Sequence, residues 1–94
     1  MIGATRSHAN RLANADHANL VRASAAAHRQ LEAVRALERA GRLERLAEPL
    51  REAARLRLRY PTLSLRELAG RASPPATKAT LHRRLRRLEQ LYRP

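Results

Sequence analysis

Leu81, Leu85 and Leu88 stand four and three residues apart in the stretch SPPATKATLHRRLRRL (73–88), and Arg83, Arg84, Arg86 and Arg87 fill the gaps between them. The 3.6-residue period of an α-helix sorts that mixture into faces. The leucines take one stripe, which Tyr92 continues, while Ala79, His82, Arg83 and Arg86 point the opposite way. Lys78, Thr80, Arg84 and Arg87 fall on the flanks or near the helix start. Such a segment needs an apolar surface on which to bury its leucines, and it leaves a cationic side free to meet a polyanion.

The remaining residues supply that surface as further helices. The chain has sixteen Leu and nineteen Ala but two Tyr, no Phe and no Trp. Ala, Leu, Arg and Glu lose little rotamer freedom in a helix, and the β-branched and aromatic residues that favour strands are scarce. An all-α fold follows: a small helical domain with a long N-terminal helix followed by a three-helix helix-turn-helix unit. Ninety-four residues make one small domain, and a chain of this size buries only about 60–70% of its unfolded surface.

Residues 1–13 (MIGATRSHANRLA) show no clear period and read as a flexible lead or linker remnant, with the domain over 14–94. Asn14 or Asp16 can cap a long first helix, in which Leu20, Ala27, Leu31, Val34 and Leu37 recur until Gly41 stops it. After the polar break GRLERLAE, Pro49 fits the first turn of a second helix carrying Leu50, Ala53, Ala54 and Leu58, which Tyr60–Pro61 ends. Ser64 and Glu67 have capping-box spacing ahead of Leu65, Leu68 and Ala69, predicting a third helix of two turns. Residues 70–76 (GRASPPA) form a turn, and Thr77 caps the last helix, from about Lys78 to Leu91.

Twenty basic residues against eight acidic ones give a net charge of +12, more than solubility requires and the footprint of an anionic partner. Nineteen of the twenty are Arg; the guanidinium fork suits phosphate and guanine, although a GC-rich genome equally accounts for Arg over Lys. The absence of cysteine removes disulfides and thiolate metal sites. No apolar run approaches the ~20 residues of a membrane span, and no h-region marks a secretory signal. A cytoplasmic, nucleoid-associated protein is expected.

A short capped helix, a turn and a basic helix make the helix-turn-helix plan, in which the second helix enters the major groove. The motif covers about 64–91, and its turn must be an enlarged one. Thr77, Lys78 and Thr80 sit where backbone N–H groups and hydroxyls meet phosphate. Ala79, His82, Arg83 and Arg86 are candidates for base edges, Arg84 and Arg87 for the backbone, and Ser64 and Arg66 for anchoring the adjacent strand. The plainer reading of the arginine pairs is a solvated helix face; the preceding turn and capped helix favour the DNA reading.

His8, His17, His28 and His82 are scattered, with no i, i+4 pair and no supporting carboxylate, so no metal is expected. Glu32, Glu38, Glu44 and Glu48 are expected to pair with nearby arginines on the surface. The sequence has no Gly-rich phosphate loop, nucleophile elbow or carboxylate pair for catalysis. No enzymatic activity, cofactor, small-molecule substrate or membrane partner is expected, and double-stranded DNA is the expected partner. Two rivals share the charge: an RNA- or ribosome-binding helical protein, which the scarcity of aromatic stacking platforms disfavours for single strands, and a module docking through its first helix on RNA polymerase or a sigma factor.

The stretches NRLANADHANLVR (10–22), LREAARLRLRYPTLSLRELA (50–69) and SPPATKATLHRRLRRL (73–88) resemble the C-terminal helix-turn-helix domain of the WhiA family of bacterial regulators. The resemblance covers most of the chain from about Asn10. It implies a domain related to DNA-binding region 4 of sigma factors that recognises promoter DNA, and roles in sporulation, cell division and chromosome segregation. The family's N-terminal half, similar to LAGLIDADG homing endonucleases but without nuclease activity, has no counterpart in these residues. The chain is then either a fragment or a short protein that keeps the reader module. His82 stands where Asn is common in the family's motif.

Overall fold

The computed structural model describes residues 2–92, with side chains described for 17–92 except Asn19. Four α-helices follow one another: α1 (Ile2–Arg39), α2 (Glu48–Arg59), α3 (Leu65–Gly70) and α4 (Lys78–Tyr92), with a 3-10 turn at Leu43–Arg45. No strand occurs among the described residues. The expected caps of α1, Asn14 and Asp16, lie inside it, because the helical backbone runs from Ile2 through the stretch assigned to a lead. Ala4, Ala9, Arg11, Leu12 and Ala13 are all strong helix formers, and their propensity favours carrying the helix upstream.

The other ends obey their local signals. Gly41 has φ +69°, and past it the N–H groups of Gly41 and Arg42 return to the carbonyls of Glu38 (3.0 Å) and Leu37 (2.9 Å). This Schellman pattern needs a residue tolerant of the left-handed region. Pro49 occupies the first turn of α2. At α3 the Ser64 hydroxyl accepts from the Glu67 N–H (3.1 Å) and the Glu67 carboxylate accepts from the Ser64 N–H (3.2 Å), completing the capping box.

The core gathers Val34 and Leu37 of α1, Ala53 and Ala54 of α2, Leu68 and Ala69 of α3, and Leu81, Leu85 and Leu88 of α4. Helix α4 packs against all three other helices, and α1 also packs on α2. Its leucine seam therefore holds the domain together, each buried leucine contributing about 1.5–3 kcal/mol of transfer free energy. Two expected seam members lie outside: Tyr92 is 42% exposed and Leu20 is 66% exposed. Leu43 and Leu46, read as part of a polar break, pack against the core instead.

Candidate nucleic-acid interface

The outward face of α4 is arranged by its buried one. With Leu81, Leu85 and Leu88 fully buried, the helical period leaves Ala79, His82, Arg83, Arg86 and Arg87 exposed, and Thr80 and Arg84 half-buried on the flank. Thr77 caps the helix, its hydroxyl accepting from the Thr80 N–H at 3.1 Å and donating to Thr80 Oγ1 at 3.0 Å. Arg83 Nη2 donates to the same Thr80 oxygen at 3.4 Å, so the guanidinium leans toward the helix start.

Ser64 and Arg66 are exposed at the start of α3, and Lys78 is exposed at the start of α4. Lys78 and Ser64 border a common groove, so the two helix N-termini are neighbours. Both starts are capped by their own side chains, α3 by Ser64 with Glu67 and α4 by Thr77. Among the described residues no carboxylate pairs with Arg66, Lys78, Arg83 or Arg87. Arg86 approaches Glu89 at 4.0 Å, a carboxylate that Arg29 also meets at 3.7 Å.

The enlarged turn is held by a small set of acceptors. The Ala69 carbonyl receives the N–H groups of Ala72 (3.2 Å) and Ala76 (2.9 Å), and Glu52 Oε2 receives the Ser73 N–H at 3.0 Å. The Ser73–Pro74 peptide is cis. Arg71, just past α3, lies over the Tyr60 ring at 4.4 Å from its centroid, tying the turn to the end of α2. Arg84 belongs to this bracing. Its Nη1 stands 4.0 Å from Glu52 Oε1, both side chains mostly covered, so the guanidinium expected at a DNA backbone lies beside α2.

Arg57 was not distinguishable from the surface bases by composition, yet it is 2% exposed. Its Nε donates to Gln30 Oε1 (3.0 Å), and its Nη1 donates to the carbonyls of Tyr60 (3.3 Å), Pro61 (3.3 Å) and Leu63 (2.8 Å). Burial pulls its pKa below the usual arginine range. The signal was its register: it follows Ala53 and Ala54 by four and three residues, on the buried stripe of α2. This side chain shapes the loop that delivers Ser64 and Arg66.

Other expectations sort unevenly. Glu48 pairs with Arg51 and Arg55, each at 2.6 Å, and those two guanidinium groups hold its carboxyl below its ordinary value. Glu38 and Glu44 make no side-chain ion pair among the described residues, and Glu32 meets His28 at 3.1 Å rather than an arginine. His28 therefore has the carboxylate neighbour that the sequence reading denied it. No group of three metal-ligating side chains occurs among the described residues; the side chain of His8 lies outside those described. No helix there is long and apolar enough to cross a membrane.

A short capped helix, a braced turn and a seam-buried helix with a cationic outer face define a helix-turn-helix DNA-binding domain. Comparison with known proteins makes the assignment particular: residues 9–92 match the family model of the WhiA C-terminal HTH domain. The chain belongs to this family, one of DNA-binding regulators and not of enzymes. It is 49% identical over 86 residues to the "Probable cell division protein WhiA" of Desulforudis audaxviator, covering 92% of this chain and 28% of that protein. With the protein of the same name from Symbiobacterium thermophilum it shares 49% over 82 residues, covering 87% and 26%. The crystal structure of "full-length DUF199/WhiA from Thermatoga maritima" superposes with a TM-score of 0.80 at 35% identity, covering 88% of this chain and 28% of that one. The chain thus spans little more than a quarter of the length of these relatives.

Proposed function

We propose that the domain reads a short site in duplex DNA sequence-specifically, as a transcriptional regulator serving bacterial cell division, with sporulation and chromosome segregation as further processes. The observation that carries this is the outer face of α4: Arg83 and Arg87 stand exposed without a carboxylate partner, behind a capped and braced turn. Ala79, His82, Arg83 and Arg86 face base edges. Thr77, Lys78, Thr80, Ser64, Arg66 and Arg87 hold phosphates, and Arg84 serves the scaffold. An α-helix is about 10–12 Å across and the major groove about 12 Å wide, so α4 fits as a reading element.

The test is selection of bound duplexes from a random pool, followed by affinities for the selected and a scrambled duplex at matched salt. The selected duplex binds more tightly, and Arg83→Ala lowers the preference by about 1–3 kcal/mol, the worth of one good base contact. Equal affinity for both duplexes, or tighter binding to a structured RNA of equal length, would overturn the reading.

A further inference from the structure

Beside the reading face, α1 and the loop leading into α3 enclose an open groove of about 890 Å³. Leu20, Ala23, Ala27 and Leu31 line one wall, Leu63 and Leu65 the other. On α1 these four recur at helical spacing beside the core stripe; Ala27 and Leu31 are half-buried, while Ala23 is exposed and Leu20 remains 66% exposed, so the upper part of this apolar wall is uncovered among the described residues.

The groove is also electrically one-sided. Arg57 lines it, buried, with only neutral oxygens as partners of Nε and Nη1; its Nη2 has no hydrogen bond among the described residues. Arg66 and Lys78 add two cations without carboxylate partners. Glu67 is the one acid in the lining, and its carboxylate is engaged by the Ser64 N–H. A buried guanidinium facing neutral oxygens gains most from a carboxylate, which can take a charge-assisted hydrogen bond in a partly dry site.

We propose that this groove docks an acidic amphipathic helix of a separate protein partner, whose apolar side chains cover the Leu20–Leu31 stripe while a carboxylate meets Arg57 Nη2. Helix-in-groove recognition uses this combination of an apolar stripe and polar anchors. A second copy of the chain is a poor occupant, because each copy carries +12. Duplex DNA offers no apolar counterpart to the α1 wall. Since Arg66 and Lys78 border both the groove and the proposed phosphate contacts, docking here competes with DNA.

The probe is a short helical peptide with leucine on one face and glutamate elsewhere, titrated into the isotopically labelled full chain. The backbone signals of Ala23, Ala27, Leu63 and Leu65 and the Arg57 Nε–H signal move together on binding. A peptide with glutamine for glutamate binds about tenfold more weakly, the worth of one hydrogen bond to a charged group. Ala23→Glu, on an exposed helical position, abolishes binding without loss of helicity, and added duplex displaces the peptide. The inference fails if the groove signals stay still, if the shifts fall on the Arg83 and Arg87 face instead, if the glutamine peptide binds equally, or if duplex alone moves the α1 wall in the same way. Duplex selectivity measured separately keeps such a failure distinct from failure of the DNA-reading proposal.

Discussion

Arg57 of α2 donates through Nε to Gln30 Oε1 of α1 across 3.0 Å, joining two helices by a pair of polar side chains that are 2% and 3% exposed. The same guanidinium satisfies three loop carbonyls ahead of Ser64. Arg57→Met keeps much of the side-chain length but leaves those acceptors without their donor. Unmet buried polar groups cost about 1–3 kcal/mol each, partly recovered by water. The variant should therefore lose about 2–4 kcal/mol in urea unfolding, and Gln30→Ala about 1 kcal/mol. A loss below about 0.5 kcal/mol for Arg57→Met would mean the loop stands without this anchor.

The capping box makes stability depend on acid pH. The Ser64 backbone N–H, and then its side-chain hydroxyl, hold the Glu67 carboxyl below its ordinary value of 4.5. A depressed folded-state pKa stabilises the fold above the ordinary value, and that contribution is lost as pH falls through the lowered one. Glu48, held by Arg55 and Arg51, acts in the same direction. The Tm should fall on acidification from about pH 6 to about pH 3, and the Glu67→Gln, Glu48→Gln double variant should flatten the fall. Ser64→Ala should cost about 1 kcal/mol at neutral pH. Parallel melting curves for wild type and double variant would contradict the assignment.

Arg84 and Arg87 separate scaffold from contact. Arg87→Ala should reduce the slope of log affinity against log salt by about 1 while leaving the melting temperature unchanged. Arg84→Ala removes the partner of Glu52, the carboxylate that also receives the Ser73 N–H. It should leave the salt slope intact and cost about 0.5–1.5 kcal/mol of stability. The reverse pattern would place Arg84 on the DNA backbone.

Ala69 lies 2% exposed where α3 enters the core, and its carbonyl takes the N–H groups of Ala72 and Ala76. Ala69→Leu inserts three carbon atoms there and should cost about 1–3 kcal/mol or more through overpacking. Because the change also displaces the turn, affinity for duplex DNA should drop further than the unfolded fraction explains. Retention of both stability and affinity would show that the two helices do not need this small residue.

The elements of the fold were legible where one residue type answers one local need. Gly41 marks a left-handed stop, Pro49 a first turn, Ser64 with Glu67 a capping box, and Thr77 a last cap. The outward placing of Ala79, His82, Arg83, Arg86 and Arg87 follows from burial of the leucine seam and could be counted off the helical period. Arg57 escaped because arginine is ordinarily a surface residue, although its register with Ala53 and Ala54 pointed inward. Leu20 misled for the converse reason: it keeps the apolar period of α1 at a position left 66% exposed.

What the amino-acid order determined by itself is therefore local and periodic: helical type, most of the helix ends, and the sorting of α4 into an apolar and a cationic face. Those properties depend on neighbours within a few residues, through backbone hydrogen bonds, caps and side-chain spacing. Only the tertiary structure decided which cations remain available, turning Arg84 to Glu52, burying Arg57 against Gln30 and leaving Arg83 and Arg87 outside. Each of those outcomes depends on partners between 27 and 32 residues away in sequence or on their absence, and a charge shows its partner only once the helices have packed.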